Sequence, residues 1–379
     1  MKKDFTPTLL DFGSVRFLLA RHFGFCYGVE NAIEIAFRTV DENPGKRIFL
    51  LSEMIHNPSV NADLISRGVR FLQNNEGEPL IPFEELRTDD IVIIPAFGTT
   101  LDIEKQLLNK GIPIERYNTT CPFVEKVWNR SQQIAQKNYT VVVHGKPTHE
   151  ETRATFSHAA AHTPTIVIND MKEAKILADF ITGNTELSDF SKVFGSRCSN
   201  GFDPENDLKR IGVVNQTTML ASDTQAIADF LKQVMMQKHH AAENIADYFA
   251  DTRDTLCYAT NDNQSAIYGL LEEKADIAIV VGGYNSSNTS HLVELCEEKL
   301  PTYYIDHHNR IQDRSTIHHF DFHHKLEKET VDFLPKNRPT TIAISSGASC
   351  PDAIVEGVIR KIAGYYVSEE SIEATIATI

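Results

Sequence analysis

Cysteine is scarce, with six in 379 residues, too few to staple a chain of this size with disulfides. Cationic side chains are in deficit as well. The 37 Lys and Arg stand against 52 Asp and Glu, a formal charge of −15, which argues against a nucleic-acid partner or an anionic membrane surface. An anionic substrate therefore needs a local site, because the overall field repels it. No apolar run approaches the ~20 residues that span a bilayer. The start, Met1-Lys2-Lys3-Asp4-Phe5-Thr6-Pro7, has charge but no apolar core of signal-peptide length. The expectation is a cytoplasmic protein with reduced thiols, no membrane partner and no short-period repeat.

What is present is ordinary globular composition, 41% hydrophobic and 23% charged, in a chain long enough for two or three domains. Apolar runs at 16–20, 47–51, 91–94, 139–143, 165–168, 211–214, 277–281, 302–305 and 341–345 alternate with helical spacing. That alternation predicts α/β architecture with parallel sheets built from βαβ units. Each third repeats one plan: a cysteine at a helix start, then strands whose carboxyl ends carry polar loops. The expected domains are 21–118, 119–254 and 255–365, the last joined by the strand 15–20, with 366–379 as a tail. Two stretches stand apart. Residues 183–210 read as a polar insertion. The loop 307–324, with six histidines in three pairs, reads as a variable solvated loop rather than a nickel or zinc tract.

The central stretch is Asn118-Thr119-Thr120-Cys121-Pro122-Phe123-Val124-Glu125. Pro122 suits a first helical position, which puts Cys121 at the cap, near the positive end of the helix. A thiol there should ionise more readily than a free one. The arrangement recurs at Cys26 and Cys257. Three spaced thiols without a fourth suit an iron–sulfur cluster with an open iron better than a closed zinc site, yet cysteine is also a common small core residue. Cys350-Pro351 copies the Cys121-Pro122 cap, so local grammar does not separate the two. Cys296 reads as core, and Cys198 as irrelevant to chemistry.

Ligands of open α/β sheets bind beyond the carboxyl ends of the strands, and the remaining polar clusters lie there. His56 and His149 can donate to an anion. Ser286, Ser287, Asn288 and Ser349 offer hydroxyl and amide donors at helix starts, where a phosphate can be held without Lys or Arg; the same residues also serve as plain helix caps. Glu150 or Glu151 can act as a general acid or simply favour the helix dipole. Thr217 and Thr218 can bond a substrate hydroxyl or cap the next helix.

Together these stretches resemble the 4-hydroxy-3-methylbut-2-enyl diphosphate reductase family over about 18–362. The resemblance rests on Phe23-Gly24-Phe25-Cys26-Tyr27-Gly28-Val29-Glu30, Glu53-Met54-Ile55-His56-Asn57-Pro58, Thr119-Thr120-Cys121-Pro122, Asn215-Gln216-Thr217-Thr218, Cys257-Tyr258-Ala259-Thr260, Asn285-Ser286-Ser287-Asn288 and Ser346-Gly347-Ala348-Ser349. It implies three α/β domains in a pseudo-threefold trefoil around a central [4Fe–4S] cluster with three Cys ligands and an open iron site. It selects Cys26, Cys121 and Cys257 as ligands and leaves Cys350 beside Ser349 at the edge of the site. It implies diphosphate contacts from His56, His149, Ser286, Ser287, Asn288 and Ser349, a proton from Glu151 rather than Glu150, and a hydroxyl contact from Thr217. The implied activity is reductive dehydroxylation to isopentenyl and dimethylallyl diphosphate, the last step of the methylerythritol phosphate route, with ferredoxin or flavodoxin as electron donor. One departure is Phe97 in Ala96-Phe97-Gly98, where many bacterial relatives carry a second phosphate-binding histidine; with His144-Gly145-Lys146 and Gly201-Phe202-Asp203-Pro204 it resembles the plant and cyanobacterial branch. The alternatives are a quinolinate-synthase-like lyase on three cysteines, a non-catalytic iron–sulfur redox sensor, and a structural zinc protein.

Overall fold

The computed structural model describes residues 4–241, 243–250, 255–336 and 339–377. Asp254, at an expected domain boundary, and residues 378–379 of the expected tail lie outside the described residues. The chain divides into two compact units.

The first unit comprises Met1–Glu30, His56–Ser59 and Tyr258–Ile379. Its sheet runs in the order Thr8–Asp11, Val15–Leu19, Thr340–Ser346, Ile277–Val281, Thr302–Ile305. Only the outermost pair is antiparallel; the other three pairings are parallel. Ile277–Val281 is buried along its whole length, as a parallel strand covered on both faces must be. Phe17, Ile279, Ile344, Val355, Val358 and Ile362 anchor the core around it. The final stretch is more than a tail. Glu369–Ile376 is helical, and Ile372 is fully buried in that core.

The second unit comprises Asn31–Ile55 and Val60–Cys257 and contains two parallel sheets. One has the order Arg70–Phe71, Ile48–Leu50, Ile91–Ile93, and the other Thr165–Ile168, Thr140–His144, Ile211–Asn215, Phe249–Ala250. The fold class is therefore α/β. Among the described residues, no helix is long and apolar enough to cross a membrane.

Two stretches depart from the sequence reading. The 183–210 insertion is not simply polar. It carries the short helices Phe190–Phe194 and Pro204–Asp207, and Phe190 and Phe194 meet Phe180 edge-on while Phe202 stacks on Phe190. Aromatic rings bury enough area to nucleate a local core inside an otherwise hydrophilic stretch. The histidine-rich loop is a hairpin of Thr316–Asp321 with Leu326–Val331. Its outer strand is mostly exposed, so no apolar alternation announces it. Cross-strand partners hold the register instead, among them Lys328 with Asp321 and His319 with Thr330.

Candidate functional site

Within the first unit, two parallel strands end side by side and their loops interlock. The Gly347 amide donates to the Val281 carbonyl at 3.1 Å, and the Cys26 amide donates to the Ala348 carbonyl at 3.3 Å. Ser286 caps the helix Ser287–Glu297, its hydroxyl accepting the Thr289 N–H. The Asn288 Oδ1 accepts the Ala348 N–H at 3.0 Å, and Asn57 donates to the Ser349 carbonyl at 2.9 Å. His56 is drawn in by Ser349, whose hydroxyl donates to the His56 carbonyl at 3.4 Å. Gly283 makes that approach possible, since a Cβ there would sit 2.1 Å from the His56 carbonyl oxygen. Thus His56, Ser286, Ser287, Asn288, Ser349 and Cys26 gather in one unit.

The chemistry of this cluster is that of an anion cradle. His56, Ser286, Ser287 and Asn288 are all buried, and the helix start directs backbone N–H groups outward. The Asn288 Nδ2 is buried with no hydrogen-bond partner. An orphaned amide donor costs about 1–3 kcal/mol unless a ligand or water takes it. Asn57 and Asn263, which steady this cradle, were not singled out from sequence. Asn57 sat in a quoted motif but resembled an ordinary turn residue.

The second unit gathers the proton-handling residues. His149 caps the helix Glu150–Ala160, with Nδ1 accepting the Glu151 N–H at 3.2 Å. In the neutral ring this bond places the proton on Nε2, which makes that nitrogen a donor. Glu151 is only 1% exposed. Its Oε1 accepts the Thr217 N–H at 2.5 Å and its Oε2 the Thr217 hydroxyl at 3.0 Å. The Cys257 N–H then donates to the Thr217 carbonyl at 3.3 Å, so Thr217 connects the carboxylate to a thiol residue. Gln216, given no role from sequence, braces this corner: its Oε1 accepts from the Lys146 N–H and the Thr152 hydroxyl, and its Nε2 donates to Thr218.

The thiols differ in their surroundings. None of the six is in a disulfide. Cys121 is the cap of the helix Pro122–Ala135, with Pro122 in its first turn, as the sequence predicts. Burial pushes the Cys26 thiol up, contrary to the expected easy ionisation, while the Val29 and Gly28 amides at the helix start pull it back down. Those amides are the donors a bound thiolate uses, and metal binding displaces the proton. Cys350 does not repeat the Cys121 cap. The cap of the helix Asp352–Ala363 is Pro351, one residue later, and this shift turns Cys350 into the apolar core, not to the edge of the site. Burial pushes the Cys350, Cys296 and Cys198 thiols up to about 12, which leaves them as neutral, inert groups. Among the described residues no group of three His, Cys, Asp or Glu side chains is drawn together for a metal ion; Cys26 belongs to the first unit, Cys121 and Cys257 to the second. As a donor set, three thiols at helix starts, one with backbone amides directed at its sulfur, fit a thiolate-bound iron–sulfur cluster.

The single tryptophan, Trp128, lies on the Cys121 helix and stacks on His158 with ring centroids 3.7 Å apart. Burial holds His158 below its ordinary pKa, opposed by its bond to the Thr99 carbonyl and aided by nearby His162. A base depressed in the fold is protonated more readily when unfolded. Its stabilising contribution is therefore complete above the unfolded value of ~6.5 and is lost as pH falls through the folded value. Trp128 emission should titrate with a midpoint below ~6.5, and His158→Gln should abolish the transition. A midpoint above that value would contradict the packing.

The LytB protein family matches residues 17–363 of the chain. The 4-hydroxy-3-methylbut-2-enyl diphosphate reductase of Synechococcus sp. strain RCC307 is 42% identical over 352 residues, covering 92% of this chain and 84% of that protein. Its counterpart in Prochlorococcus marinus is 41% identical over 356 residues, covering 93% and 85%. The solved E-1-hydroxy-2-methyl-but-2-enyl-4-diphosphate reductase from Plasmodium falciparum superposes with a TM-score of 0.64 at 20% identity, covering 92% of this chain and 87% of that one, a likeness of fold alone. A solved (E)-4-hydroxy-3-methyl-but-2-enyl diphosphate reductase, described as the terminal enzyme of the non-mevalonate pathway, gives 0.53 at 26% identity over 91% and 98%.

Proposed function

The chain belongs to the LytB protein family, and from that premise we propose that it reductively dehydroxylates (E)-4-hydroxy-3-methylbut-2-enyl diphosphate to isopentenyl and dimethylallyl diphosphate, ending the methylerythritol phosphate route to isoprenoids. The carrying observation is the buried, cation-free donor cluster whose Asn288 amide is orphaned. A diphosphate satisfies such a cluster, because it brings acceptors and no donors. A [4Fe–4S] cluster held by Cys26, Cys121 and Cys257 supplies Lewis acidity and a path for single electrons when bound.

The chain's own residues handle the anion and the protons. His56, Ser286, Ser287, Asn288 and Ser349 take the diphosphate, with His149 donating from Nε2. Thr217 positions the substrate hydroxyl. Glu151, gripped by the Thr217 N–H and hydroxyl, delivers the proton with which that hydroxyl leaves as water. Two electrons and a second proton then replace the broken C–O bond by C–H. The electrons come one at a time from a ferredoxin or flavodoxin, in the cytoplasm, where thiols stay reduced. Anaerobic reduction followed by product analysis tests this: both dehydroxylated diphosphates should appear, and cluster-replete protein that forms neither would refute it.

A further inference from the structure

Thr289 lies fully buried in the first turn of the helix Ser287–Glu297. The ends of two parallel strands close around its side chain. A Cβ on Gly282 would come 2.5 Å from its Oγ1, and a Cβ on Gly347 would come 2.0 Å from it. Held there, Thr289 approaches Ser286 twice. Its backbone N–H donates to the Ser286 Oγ at 3.2 Å, and its hydroxyl donates to the same oxygen at 3.0 Å. The Ser286 backbone is pinned as well: its N–H donates to the Gly283 carbonyl at 2.9 Å, and its carbonyl accepts the Ser290 hydroxyl at 2.9 Å. A serine hydroxyl has two lone pairs and one proton. With both lone pairs filled by one neighbour, Ser286 has only its proton left to give.

Asn288 has the same polarity. Its Oδ1 accepts the Ala348 N–H at 3.0 Å and lies 3.5 Å from the Asn263 Nδ2, a longer contact of the same sense. These donors fix that end of the amide as the oxygen and leave the partnerless Nδ2 as the end for a ligand. In both residues the acceptors are filled from within the fold and only protons remain. We propose that Thr289 is a positioning residue, which holds Ser286 as a pure donor toward the substrate's diphosphate. This rests on the diphosphate reading of the cradle. The bonds form one chain, from the Thr289 hydroxyl to the Ser286 hydroxyl to a phosphate oxygen, in which each bond strengthens the next. Such a cradle suits an ionised phosphate and disfavours any group that arrives with protons of its own.

The test compares Thr289→Val, which keeps the shape but removes the hydroxyl, with Thr289→Ser, which keeps the hydroxyl. Thr289→Ala makes the same removal without setting a methyl against Ser286. All are assayed as cluster-replete enzyme on the hydroxylated diphosphate, alone and in a Ser286→Ala background. Either removal should raise KM about two- to tenfold with kcat held within about twofold. Inhibition by inorganic diphosphate should weaken by a similar factor, while Thr289→Ser stays near wild type. In the Ser286→Ala background the removals should raise KM no further, because the residue they act through is gone. An unchanged or lowered KM on removal, failure of serine to rescue, or an undiminished effect in the Ser286→Ala background would each overturn the assignment. If Ser286→Ala raises KM while removal of the Thr289 hydroxyl does not, the inference fails and the functional reading stands. If the unaltered enzyme does not turn over, both fail.

Discussion

Glu151→Gln should lower turnover by about 10²–10⁴-fold while leaving iron and sulfide content at the wild-type level. The substitution is chosen because the site can accept it. Glu151 takes one bond from a backbone N–H, which of a glutamine's two terminal atoms only the oxygen can accept, and one from the Thr217 hydroxyl, which can reverse. A glutamine keeps its Oε1 on the Thr217 N–H and lets its amide donate to the turned hydroxyl. The corner made by Gln216, Thr217 and Cys257 is therefore preserved, and only the transferable proton is removed. Rate and metal content measured on the same sample decide the matter. Near-normal turnover with an intact cluster would remove Glu151 from its role as proton donor.

Cys121→Ser should lose the cluster and keep the fold. Serine is among the best helix caps, so the start of Pro122–Ala135 is not weakened. What disappears is the soft thiolate. Iron affinity should fall by more than the roughly 10–100-fold seen when an outer-shell partner is removed. Cys350→Ser is the contrasting case. It places a hydroxyl in the apolar core, costing about 1–3 kcal/mol of stability, and should retain a full complement of iron. Iron retained in Cys121→Ser, or lost in Cys350→Ser, would reverse the choice of ligands.

Much of the fold was legible because its central strands are continuous apolar runs. Ile277–Val281, Thr140–His144 and Ile211–Asn215 fall within about a residue of where the runs stand, since strands buried on both faces carry a signal that few loops imitate. Two exposed strands were not seen. Thr8–Asp11 and Leu326–Val331 alternate between burial and exposure weakly or not at all, and their pairing depends on neighbours far along the chain. The 183–210 segment was misjudged for a related reason: its few phenylalanines do the packing, while its many polar residues set the average.

The candidate site divided along similar lines. Residue types and their strand-end positions drew attention to His56, His149, the serines and the thiols, and the family resemblance chose among them. Sequence alone left Glu150 and Glu151 equivalent; the carboxylate that grips Thr217 is Glu151. It also left Cys121 and Cys350 equivalent, and a one-residue shift of the helix cap separates them. The brace at Gln216 depends on groups from segments far apart in the chain meeting in space, which no local pattern encodes.

The most direct measurement counts electrons against product. Anaerobically prepared, cluster-replete protein is given the hydroxylated diphosphate and a limiting, titrated single-electron reductant. The account predicts one molecule of isopentenyl or dimethylallyl diphosphate for every two electrons consumed, with the hydroxyl released as water. Reductant consumed without either product, by protein whose cluster remains intact, would contradict it.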